Sequence, residues 1–221
     1  MLRGVFVTGT GTGVGKTVVS AALMHRFRAV PRLRYWKPVQ TGIEADDDTA
    51  EVRRLAGLDG GQVLNAGVRL ARPLSPHLSA SLAGQPISLA PLMDLAWAED
   101  ASDRWIVEGA GGVLVPLNDH ELVIDLIAVL GLPAVIAAQS GLGTINHTLL
   151  TIEALRARAV PVAGVVMVGP PDPDNRVAIE TRGHVSVLGE LPTMAPLTPA
   201  GLQGAAEAMD RLGELDPFFS R

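Results

Sequence analysis

The stretch Gly4-Val5-Phe6-Val7-Thr8-Gly9-Thr10-Gly11-Thr12-Gly13-Val14-Gly15-Lys16-Thr17 decides how the rest of the chain is read. A short β-rich apolar run enters a glycine-rich turn, and the turn ends on Gly-Lys-Thr where a helical pattern begins. Glycines let successive backbone N–H groups turn toward an anion, and the start of a helix adds its positive end. Lys16 is placed to reach outer phosphates, and the Thr17 hydroxyl to coordinate Mg²⁺. The five-residue spacer between Gly9 and Gly15 is one longer than the usual Walker A pattern. A dinucleotide fingerprint fails in both registers: its third glycine falls at Val14 when counted from Gly9 and at Lys16 when counted from Gly11.

Outward from this cradle the periodicity alternates between β-rich runs and longer helical patterns. The expected strands are Gly4–Thr8, Arg34–Val39, Trp105–Glu108, Ala134–Ala138, Ala163–Val168 and Val185–Gly189. The expected helices are Lys16–Arg28, Thr49–Ala56, Leu89–Glu99, Leu122–Leu130, Thr144–Arg158, Arg176–Arg182 and Pro199–Leu212. Runs such as Val135-Ile136-Ala137-Ala138 are apolar on both faces, as central parallel strands are when helices cover both sides. The expectation is an α/β fold: a doubly wound, mostly parallel sheet with helices on both faces, in one domain over residues 1–221. Gly42–Asp48, Arg72–His77 and Gly169–Asn175 read as loops.

Composition narrows the function classes. With 221 residues and 48% hydrophobic content, one substantial core is within reach. No cysteine is present, which excludes disulfides, zinc–thiolate sites and thiol nucleophiles and fits a reducing, cytoplasmic setting. A net charge of −5, with no like-charge run longer than Asp46-Asp47-Asp48, gives no reason to expect nucleic acid or anionic lipid as a partner. The first apolar run is too short for a signal peptide. The longest, Leu122 to Ala138, is broken by Asp125, Gly131 and Pro133, so no membrane span is expected.

Of the 18 basic residues only Lys16 and Lys37 are lysine. In a chain whose habitual cation is arginine, a retained lysine points to a site that needs a compact ammonium instead of a planar fork. Lys37 lies in Trp36-Lys37-Pro38-Val39-Gln40-Thr41-Gly42, at the expected carboxyl end of a strand, where α/β sheets bind ligands. Both lysines therefore converge on one crevice. Asp48 opens the next helix, either as its N-cap or as a carboxylate for Mg²⁺. Glu108, in Val107-Glu108-Gly109-Ala110-Gly111-Gly112, stands at another strand end in an acidic Walker B position. Hard oxygens from Thr17, Asp48 and Glu108, completed by phosphate and water, are the set expected for Mg²⁺. Gly141-Leu142-Gly143-Thr144-Ile145-Asn146-His147 leads into a helix whose N-terminus suits an anion such as a carboxylate. The histidines show no HxH or HExxH spacing, and His25, His120 and His184 read as surface or cap residues.

Taken in order, the Gly9–Thr17 cradle, Lys37-Pro38-Val39-Gln40-Thr41-Gly42, Ser75-Pro76-His77, Glu108-Gly109-Ala110-Gly111-Gly112 and Gly143-Thr144-Ile145-Asn146-His147 resemble the dethiobiotin synthetases, from about residue 2 to residue 168. The resemblance implies a P-loop NTPase-like fold and an ATP- and Mg²⁺-dependent ligase of biotin synthesis. Such an enzyme carboxylates 7,8-diaminononanoate with CO₂, as bicarbonate supplies it, and closes the ring, working as a homodimer with substrate pockets at the subunit interface. It implies catalytic roles for Lys37, Lys16 and Thr12, and nucleotide contacts from Gly11, Thr12, Gly13, Val14, Gly15, Lys16, Thr17, Val168 and Gly169. Substrate contacts would come from Thr12, Lys37, Thr41, Gly111 and Gly112, and from Leu142, Gly143 and Asn146 of the second subunit. Two departures stand out: some members carry an acidic residue at the position of Gly13, and many carry an adenine-reading Asn at that of Val168. A partition- or motor-type ATPase that dimerises on ATP is the rival reading, but it calls for an extra lysine near position 11, where this chain has glycine. A related amide-forming ligase calls for a glutamine-hydrolysing domain with a cysteine that this chain lacks.

Overall fold

The structure, a computed structural model, describes residues 2–220. Its main sheet has seven strands, all parallel: β1 (Arg3–Gly9), β2 (Leu33–Trp36), β4 (Val63–Leu64), β6 (Arg104–Glu108), β7 (Ala134–Gln139), β8 (Val162–Val168) and β9 (Val187–Leu191). They lie in the order β4-β2-β6-β1-β7-β8-β9, and β3 (Val39–Thr41) and β5 (Val68–Leu70) form a separate parallel pair. From β1 the chain winds outward to β2 and β4, returns to β6, and then crosses to β7 on the other side. The reversal at β1 opens a crevice above its carboxyl end.

Alternating side chains of the strands feed two cores. Phe6, Trp36, Trp105, Val107 and Ile136 face α4 (Leu89–Trp97), α5 (Val123–Leu130) and α6 (Thr144–Ala157). Val5, Val7, Tyr35, Ile106 and Val135 face α1 (Lys16–Arg26), α2 (Asp48–Ala56) and α8 (Pro199–Glu207). Side chains such as Val19 and Leu23 of α1 are wholly buried, each stabilising the fold by about 1.5–3 kcal/mol. The doubly wound architecture expected from the periodicity is therefore the one observed. Among the described residues no helix is long and apolar enough to cross a membrane.

Several expected elements need correction. Arg34–Val39 is not one strand: the ladder stops at Trp36, because Pro38 has no N–H to donate, and Val39 onward joins the second sheet. Arg72–His77 is a loop only as far as Ser75, since Pro76 opens α3 (Pro76–Ala83), a position where its missing donor costs nothing. The same argument shortens the Gly169–Asn175 loop, because α7 (Pro173–Gly183) begins at Pro173. The Asp172 side chain caps it by accepting from the Asn175 backbone N–H at 2.9 Å. The helix expected to reach Leu212 ends at Glu207, and the strand expected over Val185–Gly189 runs instead from Val187 to Leu191. The short α9 (Asp216–Phe219) has no periodic signal; it is held by Phe219 stacking on Phe27 at a centroid distance of 4.1 Å.

Candidate active site

Three strand ends build the site side by side. Parallel register sets Val7 of β1 against Glu108 of β6, and Trp36 of β2 against Val107. Lys37, the next residue after Trp36, therefore stands abreast of Glu108. Its ammonium lies 2.7 Å from Glu108 Oε1 and 2.7 Å from Asp48 Oδ2, and donates to the Gly109 carbonyl at 3.2 Å. All three of its protons are engaged, and the residue is 2% exposed. Burial works against its charge, but attraction to Glu108 and Asp48 and hydrogen bonds to both outweigh burial and raise its pKa. Both the geometry and the neighbouring carboxylates thus favour the ammonium form of Lys37.

Thr17 joins the same cluster from the first turn of α1. Its hydroxyl donates to Asp48 Oδ1 at 2.8 Å and lies 3.2 Å from Glu108 Oε1. The Tyr35 hydroxyl donates to the other oxygen, Glu108 Oε2, at 2.9 Å. Asp48 is not the N-cap of α2. That role belongs to Asp47, whose side chain accepts from the Ala50 N–H at 3.1 Å, and Asp48 is the first residue inside the helix. This frees its carboxylate for Lys37 and Thr17. Burial would raise the Asp48 pKa, but Lys37 and the Thr17 hydrogen bond more than compensate, and it lies below the ordinary carboxylate value.

Lys16 donates to the Gly11 carbonyl at 2.7 Å, so its side chain is folded over the glycine-rich turn. Burial, and then the Lys37 charge, lower its pKa to about 8, against a partial offset from Glu108 and Asp48. The four charged side chains cancel formally. The turn's pull on an anion therefore comes from backbone N–H groups and from the start of α1, whose first turn carries no acidic residue. Gly15, at φ +96°, allows the turn to close, and a Cβ there would meet Val168 Cγ1 at 2.9 Å. Val168 thus packs under the cradle at the end of β8.

The donor set suits a hard divalent cation in part. Thr17 Oγ1, Asp48 and Glu108 converge on one point, but among the described residues no cluster of three or more His, Cys, Asp or Glu could hold a metal alone. Phosphate oxygens and water would have to complete the shell, as is usual for Mg²⁺.

Beside the cradle opens a cleft of about 410 Å³. Thr12 and Gly112 line one side, and His147, Leu150, Thr151 and Ala154 of α6 the other. Thr41, Gly111, Leu142, Gly143 and Asn146 do not line it. Leu142 is fully exposed, and Gly143 and Asn146 also face outward at the start of α6. Gly169 follows β8, beside Ser140. Of the α6 wall the sequence motif includes only His147; Leu150, Thr151, Ala154 and also Tyr35 fall in no motif. The spacing 147, 150, 151, 154 marks one helical face, and Tyr35 sits in β2 two residues before Lys37.

A family model described as an AAA domain matches residues 3–201. A ParA family ATPase from Chlorobium tepidum has a similar fold, with a TM-score of 0.55 over 98% of this chain and 97% of that one, at 11% identity. Among curated relatives, the biotin biosynthesis bifunctional protein BioCD of Bordetella avium is 50% identical over 87% of the chain, which spans only 40% of that longer protein. The ATP-dependent dethiobiotin synthetases BioD of Paramagnetospirillum magneticum and Agrobacterium fabrum are 48% and 46% identical. They align over 92% and 90% of this chain and over 94% and 90% of their own lengths. At that identity over nearly the whole length of both, the chain belongs to the dethiobiotin synthetase family.

Proposed function

We propose that this chain converts 7,8-diaminononanoate, CO₂ and ATP to dethiobiotin, ADP and phosphate, as a single unit over residues 1–221 in the cytoplasm. Family membership supports the reaction, and the observation that carries it at the level of residues is Lys37. It is a buried ammonium held by Glu108 and Asp48, the two carboxylates that Thr17 at the end of the phosphate cradle also meets. One substrate amine adds to CO₂, giving a carbamate and releasing a proton. The carbamate oxygen attacks the γ-phosphate and ADP leaves. The second amine then attacks the carbamoyl carbon, the ring closes and phosphate departs. No covalent enzyme intermediate is needed.

The protein's part is positioning and charge. In this reading Gly11, Thr12, Gly13, Val14 and Gly15 present backbone to the triphosphate, while Lys16 exchanges the Gly11 carbonyl for phosphoryl oxygen. Lys37 would exchange part of its contact with Asp48 and Glu108 for the charge between carbamate and γ-phosphate. Thr17, Asp48 and Glu108 would hold Mg²⁺, which shields the phosphates when bound. Thr12 and Gly112, on the cleft wall, would contact the diamine, with Thr41 and Gly111 alongside. Leu142, Gly143 and Asn146 are exposed and do not line their own cleft, and we assign them to the cleft of a second copy in a homodimer, at the helix start that would receive the substrate carboxylate.

Phosphate release from ATP should require the diamine and bicarbonate together. Release with neither present would favour a motor-type ATPase, which the ParA likeness does not by itself support, since it concerns the fold alone.

A further inference from the structure

Glu108 has two carboxylate oxygens with different duties. Oε1 faces the site, 2.7 Å from Lys37 Nζ and 3.2 Å from Thr17 Oγ1. Oε2 points back into the protein, where the Tyr35 hydroxyl donates to it at 2.9 Å. Both residues are wholly buried, so water does not replace this bond. Tyr35 reaches Oε2 because β2 lies next to β6 with Tyr35 opposite Ile106, and strand alternation puts Ile106 and Glu108 on the same face of β6. Tyr35 and Lys37 thus grip one carboxylate from either end.

A carboxylate held at one oxygen only is free to turn about its last torsion. Held at both, it presents Oε1 in a single direction. We propose that Tyr35 is a positioning residue: it fixes the plane of Glu108 so that Oε1 is presented to the cation that accompanies the nucleotide, and it never touches substrate itself. The inference rests on the assignment of Glu108 to Mg²⁺ made above, and adds a buried phenol that acts through it. Outer hydrogen bonds to a ligating carboxylate commonly govern metal affinity by ten- to hundredfold.

Tyr35→Phe removes one oxygen and keeps the ring. The test is equilibrium binding of a fluorescent N-methylanthraniloyl ATP, with and without Mg²⁺, which needs no turnover. We expect the variant to bind metal-free nucleotide as the parent does, while the Mg²⁺ concentration for half-maximal enhancement of binding rises by about tenfold. Glu108→Gln should raise it at least as much, and adding Tyr35→Phe to Glu108→Gln should change nothing further, because Tyr35 acts only through Glu108. Ile106→Val, a core change in the adjacent strand, should leave Mg²⁺ dependence alone and separates positioning from general loosening. If Glu108→Gln shifts the Mg²⁺ dependence and Tyr35→Phe does not, the inference fails and the site assignment stands. If neither shifts it, both fall. Equal loss of metal-free and metal-supported binding in Tyr35→Phe would reduce Tyr35 to a packing residue and likewise overturn the proposal.

Discussion

Replacing Lys37 by arginine retains the charge and tests the shape of its site. The ammonium sits among three acceptors, at 2.7, 2.7 and 3.2 Å, and is 2% exposed. A guanidinium is longer, planar and more diffusely charged, so it cannot satisfy Asp48, Glu108 and the Gly109 carbonyl from the same point. Two effects follow. Overpacking should lower stability by about 1–3 kcal/mol. Displacement of the positive charge from the γ-phosphate position should cost about 3 kcal/mol of transition-state stabilisation, the scale of one preorganised donor, or about two orders of magnitude in kcat. Nucleotide binding, which draws mainly on the Gly11–Thr17 backbone, should change little. The assay is initial-rate dethiobiotin formation at saturating substrates, with nucleotide affinity measured separately. A variant with kcat within about threefold of the parent, or one whose whole loss lies in nucleotide affinity, would refute the assigned role.

Lys16 gives a pH prediction. Its pKa is about 8 in the folded protein against an ordinary 10.5, so between these values the unfolded chain holds more protons and stability rises with pH; below pH 8 the penalty for burying the charge stands in full. Nucleotide binding at pH 9 should therefore take up protons at Lys16, seen by calorimetry in buffers of different ionisation enthalpy, and Lys16→Met should abolish the uptake; no uptake in the parent contradicts the assignment. Mixing Lys16→Ala with Asn146→Ala subunits should restore roughly a quarter of the parent activity if sites are shared across a two-fold interface, and none if each subunit is self-sufficient. Base selection should be weak: Val168 offers no polar group, and the Asn175 amide already donates to the Ser140 carbonyl and to Asp172 Oδ2, both at 2.8 Å. Turnover with ATP, GTP, CTP and UTP should agree within about 100-fold, and a larger preference for ATP would show that another group reads the base.

Six of the seven strands of the main sheet were legible because their signals are local, while the two-residue β4 and the β3–β5 pair are too short to show a period. Apolar runs of strand length, a Gly-Lys-Thr helix start and strand-end carboxylates each depend on neighbours in sequence. The scarcity of lysine singled out Lys16 and Lys37, and both proved buried or nearly so in one cluster. What stayed hidden depends on partners far along the chain. Tyr35 carries no signal of its own in the sequence, because the partner that gives it meaning, Glu108, lies 73 residues away. The α6 face on the cleft gains meaning only when Thr12 and Gly112 stand opposite. Asp48 reads as a cap candidate in the sequence, but α2 begins one residue earlier than expected, so the cap falls to Asp47 and the ion pair to Asp48. Proline misled in both directions: it ended β2 where a continuous strand was expected, and it began α3 and α7 inside expected loops.

The most direct test of the account is to incubate the purified protein with 7,8-diaminononanoate, ¹³C-bicarbonate, ATP and Mg²⁺, and to follow product by mass spectrometry alongside phosphate. Dethiobiotin carrying one ¹³C in its ureido carbon should form in equal amount with phosphate, and only when all components are present. Phosphate released without labelled dethiobiotin would contradict it.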